Sequence, residues 1–326
     1  MSTPLVSVVI PVYNEQALLP QLFARLYRTL DLMNVSYEVI FVDDGSRDDS
    51  PRLLRTQYVQ RPDVTRVILL AGNFGQHNAL FAGFAQSRGA AVVTLDADLQ
   101  NPPEEIPRIV DALRDGHDYV GTIRRTRKDP WLRSWGSKFL NRVREATTDI
   151  RLSDQGCMLR GYDRTVIDAL NECEEVNSFI PALGYLYSRS PIEIEVRHDE
   201  RSIGGSRYSL YKLIRLNFDL MTGFTLVPLQ LYSVLGTLIA VSSLAFVVYL
   251  GIRRIIVGPE AAGVFTLFGI AFFLIGVILL GVGLLGEYIG RIYSQVRGRP
   301  RYRIAAVLQK PHESARSPVS ARRDDT

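Results

Sequence analysis

Ala91-Val92-Val93-Thr94-Leu95-Asp96-Ala97-Asp98 decides the fold. An apolar, β-branched run of this length bounded by turn residues reads as a fully buried strand, and it stops on two carboxylates one residue apart. Working outward, Val6-Ser-Val-Val-Ile10 is a second such strand, Tyr37-Glu-Val-Ile-Phe-Val42 a third and Val67-Ile-Leu-Leu70 a fourth. Between Ile10 and Tyr37, Leu18, Leu19, Leu22, Leu26 and Leu30 recur at helical spacing. Continuous buried runs joined by helices predict an α/β fold, a mostly parallel sheet covered on both faces. In such sheets ligands bind in the crevice beyond the carboxyl ends of the strands. Asp43, Asp44, Asp96 and Asp98 all fall at such ends.

Composition narrows the class. The chain has 326 residues, 47% of them hydrophobic and 22% charged, which excludes disorder for most of it. Two cysteines, Cys157 and Cys173, cannot build a disulfide framework or a cysteine-based zinc site. The formal net charge is +4, yet residues 287–326 alone carry +5, leaving the first 286 residues near −1. A basic tail on a neutral body argues against a nucleic-acid partner.

The second half changes character. No charge occurs between Asp219 and Arg253, and Ala261–Gly286 is again uncharged. Each stretch exceeds the roughly 20 residues a helix needs to cross a bilayer, so two membrane spans are expected. Tyr208–Phe224 sets Leu210, Leu213, Ile214 and Met221 against Lys212, Arg215 and Asp219, a pattern that suits a helix lying in the membrane interface. Arginines flank the apolar pair on both outer sides, and the positive-inside rule then puts both termini in the cytoplasm. Arg253 and Arg254, expected in the turn between the spans, oppose that rule but are outnumbered. The resulting division is a catalytic domain over residues 1–207, an interfacial helix over 208–227 and two spans over 228–290. A basic cytoplasmic segment over 291–310 and a disordered tail over 311–326 follow.

The chemistry lies in Thr94-Leu-Asp96-Ala97-Asp98-Leu-Gln100-Asn-Pro-Pro-Glu104. Paired carboxylates at a crevice are hard ligands suited to Mg²⁺ or Mn²⁺, with phosphate oxygens of a substrate completing the shell. The plainer reading is an ordinary strand-to-turn Asp pair. No G-x-G-x-x-G that follows a predicted strand and no P-loop lysine motif competes for the phosphate role.

Three segments in order, Val8-Val-Ile-Pro11-Val-Tyr13-Asn14-Glu15, Val42-Asp43-Asp44-Gly-Ser46 and the D-x-D stretch, resemble the family 2 glycosyltransferases of GT-A fold. Further motifs are similar to the polyprenyl-phosphate branch of that family, which includes dolichol-phosphate mannose synthases. They are Asn73-Phe-Gly-Gln-His77-Asn, Leu99-Gln-Asn-Pro-Pro-Glu-Glu-Ile-Pro107, Asp154-Gln-Gly-Cys-Met-Leu-Arg160 and Gly283-Leu-Leu-Gly-Glu-Tyr-Ile-Gly-Arg-Ile-Tyr293. The likeness covers about residues 5–305 and is strongest to the type that transfers 4-deoxy-4-formamido-L-arabinose to undecaprenyl phosphate; glucose and N-acetylglucosamine remain open as the sugar.

The resemblance implies an inverting enzyme of the bacterial inner membrane that serves lipid A and cell-envelope modification. It would take a UDP-sugar donor and an undecaprenyl phosphate acceptor and work among membrane lipids as a homotetramer. It further implies that Pro11, Tyr13, Asn14, Glu15, Asp43, Asp44, Asp96, Ala97, Asp98 and Gln100 hold the nucleotide-sugar, with the metal on Asp96 and Asp98. Asp154 matches the position proposed as base in this branch; a positioning or metal-shell role and a structural role stay open beside that. An acceptor phosphate monoester, with a second pKa of about 6, is already largely ionised at neutral pH, so a strong base is less necessary.

Arg201 and Arg207, just before the interfacial helix, are the expected partners of the acceptor phosphate; the alternative is a basic patch for anionic headgroups. His77 reads as a packing residue rather than a catalytic one, and Cys157 as a buried, inert thiol. Trp131 and Trp135 in a basic stretch fit either a lid or an ordinary helix. Two other functions can be weighed. A processive polysaccharide synthase would need a Q-x-x-R-W motif, which is absent. A membrane scaffold would need neither the D-x-D pair nor Asp154.

Overall fold

The computed structural model describes residues 4–124, 152–154, 156–175, 179–197, 222, 226–258 and 264–310. Nearly all of the expected interfacial helix, all of the tail over 311–326, and Trp131, Trp135, Arg201 and Arg207 lie outside them.

The first half alternates as its sequence predicts: β1 (Val6–Val12), α1 (Leu19–Leu32), β2 (Tyr37–Asp43), α2 (Ser50–Gln60), β3 (Thr65–Leu70), α3 (Gln76–Gln86) and β4 (Ala91–Thr94). A short 3₁₀ turn at Pro103–Glu105 leads into α4 (Ile106–Arg114) and β5 (Tyr119–Arg124). Then come β6 (Arg160–Asp163), α5 (Arg164–Glu172), α6 (Ile180–Tyr187) and β7 (Pro191–Val196). Two long helices, α7 (Val227–Val257) and α8 (Val264–Val296), precede β8 (Ile304–Leu308).

Among the described residues all eight strands form one sheet in the order β7-β5-β6-β4-β1-β2-β3-β8. β1 pairs in parallel with both β2 and β4, and β2 with β3. The sheet is thus mostly parallel at its centre. β6 runs antiparallel between β4 and β5, and β8 runs antiparallel along β3. One apolar cluster packs the α1 leucines Leu19, Leu22, Leu26 and Leu30 on one face, and another packs α3, α5 and α6 on the other. Burial on both faces is why β1 to β3 read as unbroken apolar runs. α3 crosses β1 closely enough that a Cβ on Gly83 would collide with the Val9 side chain.

Chain order reverses direction across the sheet at β1: β2 and β3 are added on one side, β4 on the other. This is a topological switch point. The β1–β4 pairing ends at Val9↔Thr94, so the two strands part just beyond it. Pro11 stands in β1 past that point. A proline lacks the N–H that a central strand needs, and here β4 has already peeled away on that side.

Two features depart from the sequence reading. α7 continues through Arg253 to Val257 rather than ending before it, so Arg253 belongs to a helix and not to the turn. The segment expected only as a basic stretch over 291–310 contains the last residues of α8 and then β8, an edge strand of the main sheet. β8 is well tied. Ala71 donates to the Arg303 carbonyl at 2.8 Å, Arg66 to Gln309 at 2.6 Å, and Lys310 pairs with Asp63 at 2.6 Å.

In α8, Ile270–Val296 is long and apolar enough to cross a membrane, while α7 offers the shorter apolar stretch Val227–Ile239. Both helices leave large apolar side chains uncovered, among them Leu231, Val234, Leu238, Phe272, Phe273 and Leu279. Contiguous apolar surface of this kind marks a membrane or partner contact. The two helices touch where Tyr232 donates to the Val277 carbonyl at 3.0 Å.

Candidate active site

The crevice between the ends of β1 and β4 gathers three loops. The first two, after β1 and β2, are stitched to each other. Asn14 N–H donates to Ser46 Oγ at 3.0 Å, and Asn14 Oδ1 accepts from Arg47 N–H at 2.8 Å. Glu15 N–H reaches Ser50 Oγ at 3.0 Å, and Gln16 and Asp48 close the next rung at 3.1 Å. Asn14 takes a left-handed backbone with φ 55°, which Asn tolerates better than most residues. Tyr13 is left exposed at the crevice.

Asp43 and Asp44 have different surroundings. Asp44 spends its two oxygens on backbone, accepting from Phe74 N–H at 2.7 Å and Gly75 N–H at 2.9 Å, and so holds the loop that launches α3. Gly45 between these loops has φ 69°, and a Cβ there would lie 2.6 Å from the Gly72 carbonyl carbon. Asp43 is only 3% exposed, and its Oδ1 has no hydrogen-bond partner among the described residues. Burial pushes its carboxyl above the usual range, Ser46 opposes that, and the charge of Asp44 adds to it. A buried acceptor of this kind fits a ligand N–H.

The third loop carries the D-x-D pair. Asp96 Oδ1 accepts from Gln76 Nε2 at 2.6 Å. Burial, then the neighbouring charge of Asp98, pushes the Asp96 carboxyl up to about 7; Gln76 and Arg124 oppose the shift and Glu15 adds to it. Asp98 Oδ1 accepts from Gln100 N–H at 3.1 Å. Between them Ala97 is buried, so it can offer a ligand only its backbone. Leu99 adopts φ 59°, unusual for a non-glycine, and turns its side chain into the core. Outside the crevice, Arg25 clamps Glu104 with two bonds of 2.9 and 2.8 Å.

Because β6 pairs with β4, the loop preceding β6 lies beside the D-x-D loop. Thr94 Oγ1 donates to the Met158 carbonyl at 2.6 Å, and Cys157 Sγ to Asn101 Oδ1 at 3.3 Å. Asp154 in that loop is 4% exposed. Arg124, the last residue of β5, grips it with both arms: Nε to Oδ2 at 2.6 Å and Nη2 to Oδ1 at 2.8 Å. Gly156 N–H adds a third donor at 3.0 Å. The same guanidinium acts on Asp96, so Arg124 links the two carboxylate groups electrostatically.

His77 packs edge-on against Phe179, with ring centroids 5.4 Å apart, and its Nδ1 has no partner among the described residues. Burial first and the Arg160 charge second push its pKa down to about 4, so the ring is neutral at neutral pH. Cys157 is buried and also bonded to Thr122, and burial pushes its thiol up.

Sequence reasoning missed Gln76 and Arg124. Gln76 lay in a quoted motif with no role assigned to it. Arg124 heads a basic run, Arg124-Arg125-Thr126-Arg127-Lys128, in which nothing distinguishes it except its place at a strand end. The D-x-D pair suits a divalent cation. Two hard carboxylates stand together at the crevice, and burial with mutual repulsion leaves Asp96 reluctant to ionise without a cation.

The family model for glycosyl transferase family 2 matches residues 7–170. The undecaprenyl-phosphate 4-deoxy-4-formamido-L-arabinose transferase of Aeromonas hydrophila subsp. hydrophila is 50% identical over 307 residues, 94% of each chain. The protein of the same name from Proteus mirabilis is 49% identical over 313 residues, 95% of this chain and 96% of that one. Among solved structures, glucosyl-3-phosphoglycerate synthase from Mycobacterium tuberculosis aligns at 17% identity over 67% of this chain and 76% of that one, with a TM-score of 0.48, a likeness that adds no weight. The family match and the near-full-length identities agree with the switch-point crevice and its carboxylates: the chain is a glycosyltransferase and belongs to glycosyl transferase family 2.

Proposed function

We propose that this enzyme transfers 4-deoxy-4-formamido-L-arabinose, with inversion, from its UDP donor to undecaprenyl phosphate at the cytoplasmic face of a bacterial inner membrane. The observation that carries the reading is identity of 49–50%, over almost the whole length, to two proteins named for that reaction. The site is compatible with it. Asp43, with its unpartnered buried oxygen, would accept the N–H of the uracil, while Asp44 shapes the loop behind it. Pro11, Tyr13, Asn14, Glu15, Ala97 and Gln100, at or just beyond the ends of β1 and β4, would surround the nucleotide and sugar.

Asp96 and Asp98 would hold Mg²⁺ or Mn²⁺, which when bound neutralises charge on the leaving diphosphate. Asp154 is the acceptor-side carboxylate. Its oxygens accept from Arg124 and Gly156, which hold the group in place. An acceptor phosphate that arrives ionised makes a proton acceptor unnecessary, and orientation is the role we assign to Asp154. Arg201 and Arg207, outside the described residues, would meet the acceptor phosphate. β8 returns to the main sheet after α8, which supports placing the catalytic domain and the segment after α8 on one side of the bilayer.

The test uses the purified full chain in detergent with undecaprenyl phosphate and a panel of radiolabelled UDP-sugars. Label should pass from the formamido-arabinose donor into organic-extractable lipid. Preferred use of UDP-glucose or UDP-N-acetylglucosamine would overturn the sugar assignment, and no label in lipid from any donor would overturn the acceptor.

A further inference from the structure

Arg160 is fully buried at the start of β6, with 0% exposure. A guanidinium removed from water is costly unless its donors are filled and its charge is answered. Among the described residues no carboxylate lies within 4.0 Å of it. Its donors go instead to neutral oxygens. Nε reaches the Cys157 carbonyl at 2.9 Å, Nη2 the Asp154 carbonyl at 2.6 Å, and Nη1 the Tyr119 hydroxyl. Two of the three contacts fall on the one loop that carries Asp154. The same loop is held from its other end by Glu193, which accepts from Ser153 N–H at 2.9 Å and Ser153 Oγ at 2.6 Å. Arg160 pairs with Thr94 in the sheet, so its anchor is the strand that ends in the D-x-D pair.

We propose that Arg160 is a positioning residue for sugar transfer: its buried guanidinium fixes Asp154 and Cys157 by their carbonyls and thereby sets the Asp154 carboxylate at the acceptor phosphate. The inference rests on the reading of Asp154 as the acceptor-side group. A planar fork suits the task, because it can bond two carbonyls on one loop and a hydroxyl on another element at once; a lysine ammonium is a point charge on a flexible stem. Nothing in this arrangement touches the loops after β1 and β2, so nucleoside binding should be spared, although Cys157 Sγ also donates to Asn101 beside the D-x-D pair.

The test is a double-mutant cycle on the full chain. Arg160→Lys keeps the charge and loses the fork. It should lower kcat about 10- to 100-fold, the scale of a small misplacement at a reacting centre, while the UDP-sugar KM stays within about 2-fold. In an Asp154→Asn background the same change should cost less than about 3-fold more, since the group it positions is already gone. Losses that multiply in the two backgrounds, or a donor KM that rises as far as kcat falls, would overturn the inference.

Should Arg160→Lys fail to fold, shown by aggregation in size-exclusion chromatography and loss of the cooperative melting transition, Tyr119→Phe takes its place. Removing that one partner should cost about 3- to 10-fold in the wild-type background and nothing measurable beside Asp154→Asn, whereas a loss that persists there counts against the proposal. A wild-type chain that moves no sugar to lipid would bring down the functional reading itself, and this inference with it.

Discussion

The two carboxylate centres of this enzyme lie on neighbouring strands and are built on opposite electrostatic plans. Asp96 faces a like charge, Asp98, and its described hydrogen-bond partner is a neutral amide. Asp154 faces a guanidinium that fills both its oxygens. The first centre resists ionisation without a cation; the second is complete within the protein. Under the function proposed above, the first centre would bind charge and the second would hold position.

The contrast breaks most visibly at the metal. Asp98→Ala should abolish transfer while leaving a folded, membrane-inserted protein, and chelation should do the same, reversibly with Mg²⁺ or Mn²⁺. Full activity in excess EDTA would remove the metal role and with it half of the comparison.

A smaller effect is expected at the second centre. Asp154→Asn should cost about 10²-fold in kcat, the scale of a small misplacement at a reacting centre, with residual transfer remaining. Its partner tests the same centre through stability. Arg124→Met takes the two-armed guanidinium from a buried carboxylate and should cost about 3 kcal/mol in denaturant unfolding, the low end for a broken buried pair because Arg124 is partly exposed. Asp98→Asn should cost little or be stabilising, since it relieves repulsion. Equal destabilisation by the two would show that the centres are not opposites.

The smallest expected effect is a slope with pH. The Asp96 carboxyl is raised from 3.8 to about 7 in the fold, so through that interval the folded state keeps a proton that the unfolded chain has lost. Its contribution to stability is fully present below about pH 4 and is lost as pH rises through 7. Metal-free wild type should therefore lose stability over this window relative to Asp96→Asn, and Mg²⁺ or Mn²⁺ should flatten the difference. Parallel melting curves for the two proteins across the window would contradict this.

Much of the catalytic fold is readable along the chain. Val6–Val12, Tyr37–Asp43 and Ala91–Thr94 are strands because β-branched runs buried on both faces leave no other reading, and the aspartates follow them because a crevice opens where parallel strands end. β8 was not readable. Ile304-Ala-Ala-Val-Leu308 is a short apolar run whose partner, β3, lies more than two hundred residues earlier. Strand pairing is a long-range choice that local pattern does not encode.

What the sequence by itself determined is the chemistry available: an α/β sheet, carboxylates at its strand ends, apolar helices after it, and a likeness strong enough to specify a family. Local periodicity and residue type suffice for the sheet, the carboxylates and the apolar helices, because each depends on a few neighbours and on the solvent; the family rests on the likeness of whole motifs. Only the tertiary structure decided which groups meet. Among the described residues Asp43 keeps an unpartnered oxygen and Asp44 does not; Arg124, one of several adjacent basic residues, takes Asp154; Arg160 is buried and holds the Asp154 carbonyl. The reason is physical. A charge in a protein takes its value from the atoms within a few ångströms of it, and those atoms come from strands that the chain order keeps apart and the sheet brings together.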